Sequence, residues 1–120
     1  MNHIKLGSLG EDIAANYLSL NGYQIIERNF RSRLGEIDII AKTSSTLVFI
    51  EVKTRRNFSF GIPSEAVTYG KQQKILHTAL YYLKKMSIHQ ETSCRFDVIE
   101  VYKKKTGEAQ CRHIENAFSQ

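Results

Sequence analysis

Proline is nearly missing from this chain, with one in 120 residues, and glycine numbers only seven. That scarcity excludes collagen-like, linker and low-complexity segments, which are far richer in both. Cysteine is scarce too. Cys94 and Cys111 stand far apart, without the Cys-x-x-Cys or Cys/His spacing of a zinc site. Both read as reduced, structural thiols. No apolar run approaches the roughly 18 residues needed to cross a bilayer, and MNHIKLGSLG lacks the apolar core of a signal peptide. A cytoplasmic chain with no membrane partner is expected.

What is present suits one globular unit. Hydrophobic residues make up 42% of the chain, and 120 residues bury a core without disulfide or metal staples, so residues 1–120 are expected to form a single domain. The formal charge of +5 favours a polyanionic partner, nucleic acid before an anionic membrane surface, although solubility alone accounts for a modest excess.

The patterning predicts a helix from about Ser8 to Asn21, with Ser8 as N-cap, Glu11 and Asp12 at the positive end of its dipole, and Asn21-Gly22 as its stop. A strand is expected over Tyr23 to Arg31, and two more lie in GEIDIIAKTSSTLVFIEVKTR, residues 35–55. The loop RNFSFGIP, 56–63, leads to Ser64, a suitable cap for a long helix ending near Met86. A strand near Arg95–Tyr102, a KKKTGE turn and a last strand over Ala109–Ile114 complete an α/β domain with one mixed sheet and flanking helices.

Residues 35–55 place charges inside apolar strands. The KTSST segment closes a hairpin either with Ser44-Ser45 as a two-residue turn or with Thr43 to Thr46 as a four-residue loop, and both give one register. Lys42 then opposes Leu47, Ile40 opposes Phe49, Asp38 opposes Glu51 and Glu36 opposes Lys53, all on one face. Ile37, Ile39, Val48, Ile50 and Val52 fill the other. Like charges directly opposed destabilise a sheet, so Asp38 and Glu51 call for a cation between them. Paired carboxylates partly out of water suit Mg²⁺, with the Val52 carbonyl as a further ligand. The plainer alternative is a solvated patch with a Glu36–Lys53 ion pair. A three-residue loop would move the two acids to different faces.

Glu11 shares a helix face with Ala14, Ala15 and Leu18, whereas Asp12 aligns with Asn16 and Ser19. It is either a dipole partner or a third carboxylate reaching the same centre. Arg28, Arg31, Arg33, Arg55 and Arg56 flank the acids as a basic rim or as solvated strand ends. On the long helix Ile75, Leu76, Ala79, Leu80, Leu83 and Met86 make the expected core stripe, with Lys71, Lys74, Thr78, Tyr81 and Lys85 outward. Lys71 and Lys74 are candidates for phosphate contact. Phe58 and Phe60 suit either stacking on unstacked bases or packing. His3, His77, His89 and His113 show no spacing or neighbouring acid that suggests catalysis, and Lys103 to Lys105 fit a solvated turn.

The runs G-x-x-G-E-D-x-A-A (7–15), GEIDIIA (35–41), VFIEVKTR (48–55), FGIPSEAV (60–67) and CRFDVIEV (94–101) together resemble the YraN-like family of small bacterial proteins. That family is similar to archaeal Holliday-junction resolvases of the restriction-endonuclease-like superfamily. The likeness runs through nearly the whole chain in order. In the superfamily signature, PD followed by D/E-x-K, Asp38 matches the first acid, Glu51 the second and Lys53 the lysine, while Glu11 matches the first-helix acid of the resolvase branch. Ile37 stands where the signature has proline, and the Q-x-x-x-Y of some relatives is not met, since Gln73 is followed by His77.

The resemblance implies a restriction-endonuclease-like fold and a Mg²⁺- or Mn²⁺-dependent deoxyribonuclease acting on branched or single-stranded DNA in repair or recombination, with a homodimer by analogy to resolvases. Glu11, Asp38, Glu51 and Lys53 would be catalytic, Asp38, Glu51 and Val52 would hold the metal, and Glu36 would be accessory. The alternative is a catalytically weak nucleic-acid-binding or interaction module of the same fold.

Overall fold

The first helix in the computed structural model begins earlier than its apparent cap. The model describes residues 3–55, 67–89, 91–104 and 106–119, the side chains of 3–8 and 103 excepted. Helix α1 spans His3–Leu20, so Ser8 lies inside it, and Glu11 sits two turns from the start with no acid in the first turn. The dipole acts within about one turn of a helix end, which removes the dipole role expected of Glu11 and Asp12. The stop is as expected: Gly22 takes φ +86°, the Tyr23 N–H donates to the Leu18 carbonyl at 3.0 Å and the Gly22 N–H to that of Ser19 at 3.3 Å. This paired closure satisfies two of the orphan carbonyls at the helix end.

Strands β1 (Gln24–Ser32), β2 (Gly35–Thr43) and β3 (Thr46–Arg55) follow, then α2 (Tyr69–Lys85), β4 (Cys94–Lys103) and β5 (Ala109–Ile114). The sheet runs β1-β2-β3-β4-β5, antiparallel except for the parallel pair β3–β4, which α2 connects. The order is therefore α-β-β-β-α-β-β. Arg56, Phe58, Phe60 and Ser64 lie outside the described residues. The N-cap of α2 is Thr68, whose hydroxyl accepts from the Lys71 N–H at 3.2 Å. No helix among the described residues is long and apolar enough to cross a membrane.

One face of the sheet packs on α1, with Ile39, Ala41, Val48, Ile50, Ile99 and Val101 against Ala14 and Leu18. The other packs on α2, with Phe30, Ile37, Ile40, Leu47, Phe49 and Val98 against Ile75, Ala79 and Tyr82. Cys94 packs with the α2 layer and Cys111 with the α1 layer, so the sheet separates the two free thiols. The buried stripe of α2 is Ile75, Leu76, Thr78, Ala79 and Tyr82, whereas Leu80 and Met86 are exposed. The expected stripe was rotated: Thr78 is buried without penalty because its hydroxyl donates to the Lys74 carbonyl at 2.7 Å. Leucine and methionine outside the stripe then take the solvent side.

Candidate active site

Near the turn, the hairpin has the expected register. Thr43 opposes Thr46 across a two-residue Ser44-Ser45 turn, Lys42 opposes Leu47 and Ile40 opposes Phe49. Ladder pairing ends at Ile39–Ile50, one step short of the acids. There the alternation of β2 breaks, since Ile37 packs with the α2 layer and Ile39 with the α1 layer. Strict alternation would have placed both on one face. Asn29, in the neighbouring strand between the pairs Arg28–Ile39 and Phe30–Ile37, has φ +54° at the same level. The sheet opens between β2 and β3 at this point, and Asp38 fills the opening.

Asp38 Oδ2 accepts the Val52 N–H at 2.8 Å, replacing the ladder partner that β2 no longer supplies. A strand residue directs its N–H and C=O to the same side, so the Val52 carbonyl faces the same opening. Asp38 also hydrogen-bonds Glu51. Burial, that shared hydrogen bond and the charge of Glu51 push the Asp38 carboxyl from 3.8 up to about 9, against the opposing pull of the Val52 N–H. The pair therefore holds a proton near neutral pH.

Glu51 is buried, and its Oε2 lies 3.0 Å from Nζ of Lys71. The ion pair compensates this buried oxygen. Lys53 stands two residues along the same strand face. Burial first, and the nearby Lys71 ammonium second, lower its proton affinity, while Glu51 and Asp38 act the other way. Burial lowers Lys71 in the same way, but the charge of Glu51, hydrogen bonds to Glu51 and Lys53, and the charge of Asp38 outweigh it and leave Lys71 raised. The expected outward position of Lys71 is thus half right: it leaves the first turn of α2, half-exposed, and reaches into the acid pair.

Glu11 comes from the opposite layer. Burial raises its carboxyl, opposed by a hydrogen bond from Asn29 and the charge of Arg28, and its own charge contributes to raising Asp38. Access from α1 requires close packing at Gly10, where a Cβ would strike the Thr54 hydroxyl. Asp38, Glu51 and Lys53 are thus gathered at one gap in the sheet, with Glu11 near enough to act on Asp38 through its charge. They do not form a cage of three or more His, Cys, Asp or Glu among the described residues. A magnesium site needs no such cage, because one or two carboxylates with water and substrate oxygens complete its octahedron.

Glu36 does not oppose Lys53, the position the expected register gave it. It opposes Arg31 in the β1–β2 ladder, with its Oε1 3.5 Å from Arg31 Nε. The end of β2–β3 pairing at Ile39 removes the register that would have brought Lys53 opposite. The basic rim is also more heavily tied than expected. Arg28 bonds Asp12 at 2.7 Å and lies 4.0 Å from Glu11, and Arg55 Nε bonds the buried Glu100 at 3.3 Å. Arg33 and Lys74 are exposed and make no ion pair among the described residues. A further constellation went unforeseen: fully buried Asp97 accepts from Arg95 Nε at 3.0 Å and from the Asn116 N–H at 2.9 Å, and bonds His113 Nε2 at 2.7 Å. His113 Nδ1 lies 3.2 Å from the Tyr17 hydroxyl, so the network ties β4 and β5 to α1. The isolated His113 in the sequence gave no sign of an acid sixteen residues away.

Among solved structures, the chain is similar to Pyrococcus furiosus SfsA in complex with Ca²⁺, at 16% identity and a TM-score of 0.44, over 95% of this chain and 64% of that one. The chain thus spans less than two thirds of that protein, and the score is below what establishes a shared fold. Its similarity to bacterial proteins is far stronger. A UPF0102 protein of Clostridium botulinum (strain Loch Maree / Type A3) is 58% identical over 96 residues, covering 80% of this chain and 78% of the relative. Another, from Caldanaerobacter subterraneus subsp. tengcongensis, is 48% identical over 120 residues and 98% of both chains. The model of one family matches residues 10–101, which contain Glu11, Asp38, Glu51 and Lys53. The chain belongs to the uncharacterised protein family UPF0102, the family its YraN-like motifs indicated.

Proposed function

We propose that this chain is a metal-dependent deoxyribonuclease of restriction-endonuclease-like fold, hydrolysing phosphodiesters in branched or single-stranded DNA. One observation carries the reading. Two hydrogen-bonded carboxylates, Asp38 and Glu51, lie in a gap of the sheet with Lys71 Nζ 3.0 Å from Glu51 Oε2 and Lys53 beside them. Perturbed acids and lysines that share one partly buried gap mark a candidate functional site. Asp38, Glu51 and the Val52 carbonyl would hold Mg²⁺ or Mn²⁺, a hard ion suited to these oxygen donors. When bound, such an ion polarises the phosphodiester and makes water more acidic.

The chain's own residues supply the rest. Lys53, whose proton affinity burial has lowered, orients the attacking water or takes its proton as the O–P bond forms and the P–O3′ bond breaks. Lys71 brings a positive charge to the phosphate oxygens from the α2 side. Glu11, entering from the α1 layer, orients the water from behind the sheet gap. Symmetric cutting of two strands across a junction would require two copies.

The Lys71–Glu51 contact also favours a second reading, in which a lysine permanently serves as the counter-cation and the chain binds DNA without cutting it. Cleavage of a labelled panel of single strand, duplex, flap and four-way junction by wild type and Asp38→Ala, in Mg²⁺, Mn²⁺ or chelator, separates the two. The nuclease reading expects cutting that needs the metal and disappears in the variant. Binding without cutting, or equal cutting by the variant, favours the binding module.

A further inference from the structure

Glu100 has no part in the acid pair, yet it is a buried carboxylate with 2% exposure on the face of the sheet that carries the site. Parallel pairing places it beside Lys53, and Arg55 beside Tyr102. Its Oε1 accepts the Tyr102 hydroxyl at 3.0 Å, and its Oε2 accepts Arg55 Nε at 3.3 Å. A carboxylate this deeply buried costs several kcal/mol unless its partners compensate it. A carboxylate beside a polyanion-binding face also carries an unfavourable charge. Both costs call for a compensating role.

Arg55 shows what that role is. It lies two residues beyond Lys53 on the same strand face, about 6.6 Å farther along at roughly 3.3 Å per residue. Its side chain is partly exposed, and it hydrogen-bonds Glu100 through Nε alone. Its two Nη groups make no hydrogen bond among the described residues. A guanidinium held by one edge presents the other as a planar fork, the geometry that matches two oxygens of a phosphate. Left unanchored, the same side chain would have to give up considerable rotamer freedom at each binding event.

We propose that Glu100 is a positioning residue, which fixes the Arg55 guanidinium by Nε so that both Nη groups engage a backbone phosphate next to the one at Lys53. The inference rests on the nucleic-acid-binding part of the proposed function and needs neither cleavage nor a metal.

Its test is the affinity for a labelled single-stranded oligonucleotide in chelator. The proteins compared are wild type, Arg55→Ala, Arg55→Lys, Glu100→Gln and the double variant Arg55→Ala/Glu100→Gln, each checked by thermal melting. Simple electrostatics predicts tighter binding when Glu100 loses its charge. The positioning role predicts the opposite sign, a weakening of roughly tenfold for Glu100→Gln and for Arg55→Ala, the worth of one charge-assisted hydrogen bond. The double variant should bind no more weakly than Arg55→Ala, since Glu100 acts only through Arg55. Arg55→Lys, exposed enough to fold normally, should also bind weakly, because an ammonium keeps the charge and loses the fork. Unchanged or tighter binding by Glu100→Gln, or wild-type binding by Arg55→Lys, overturns the inference while DNA binding stands. A wild type that binds no oligonucleotide overturns both readings together.

Discussion

At Asp38 the covalent chain and the charge distribution make opposing demands. The Val52 N–H stabilises its anionic form, while burial and the adjacent Glu51 favour the protonated one, and the second pair of effects wins. The folded chain therefore keeps on Asp38 a proton that the unfolded chain releases from 3.8 upward, until about pH 9. Where the folded state binds more protons, stability falls as pH rises. In chelator, the melting temperature is expected to decline from pH 5 to pH 8, with Asp38→Asn flattening that decline and melting above wild type at pH 8. A wild-type profile that rises over this range, or an unchanged slope in the variant, would show that the acid pair is not protonated. The residue scale also shows what could be read from sequence. Glu51 and Lys53 were recognisable because an acid-x-lysine spacing is local, and Asp38 because the hairpin register holds up to Ile39–Ile50, one step short of it. Lys71 in contact with Glu51, and Asp97 beneath His113, depend on elements brought together only by the fold.

Elements decide which side chains can reach the gap. Helix α1 lies close to β3 at Gly10, where any Cβ meets Thr54. Alanine would improve helix propensity by up to about 1 kcal/mol. Forcing the packed layers apart costs typically 1–3 kcal/mol, so Gly10→Ala is expected to destabilise on balance. Adding Thr54→Ala, which removes the obstructing hydroxyl and methyl, should recover most of the loss, a coupling that denaturant unfolding of the four proteins in the cycle can measure. Additive effects would mean that the two elements do not meet there. The same helix illustrates how boundaries misled: Ser8 looked like a cap because serine is favoured there, yet it lies inside α1, and Gly10 sits at a close crossing where it serves packing rather than a turn. All seven elements were legible from periodicity and turn residues, and β5 to the residue. The break in alternation between Ile37 and Ile39 was not, because nothing in GEIDIIA marks where a strand stops pairing with one neighbour while it continues with the other.

Over the whole molecule, a net charge of +5 overstates how much positive charge is available to a polyanion. Arg28 is tied to Asp12 and lies near Glu11, while Arg55 and Lys71 are partly neutralised by Glu100 and Glu51 and keep only part of their donors for a phosphate. Arg33 and Lys74 differ from these: both are exposed, and the turn that carries Arg33 lies against α2, where a Cβ on Gly35 would come within 3.4 Å of Lys74 Cβ. These two cations therefore belong to neighbouring segments and have no ion-pair partner among the described residues. Each phosphate contact on a single strand contributes roughly 0.7 to the slope of log affinity against log salt. Arg33→Ala combined with Lys74→Ala should lower the magnitude of that slope by about 1.4 for single-stranded DNA in chelator. Arg28→Ala, which removes a guanidinium already directed at Asp12, should leave the slope unchanged. An equal fall in slope for Arg28→Ala would mean that the arginines act as a diffuse positive field rather than through the contacts their internal pairing leaves available.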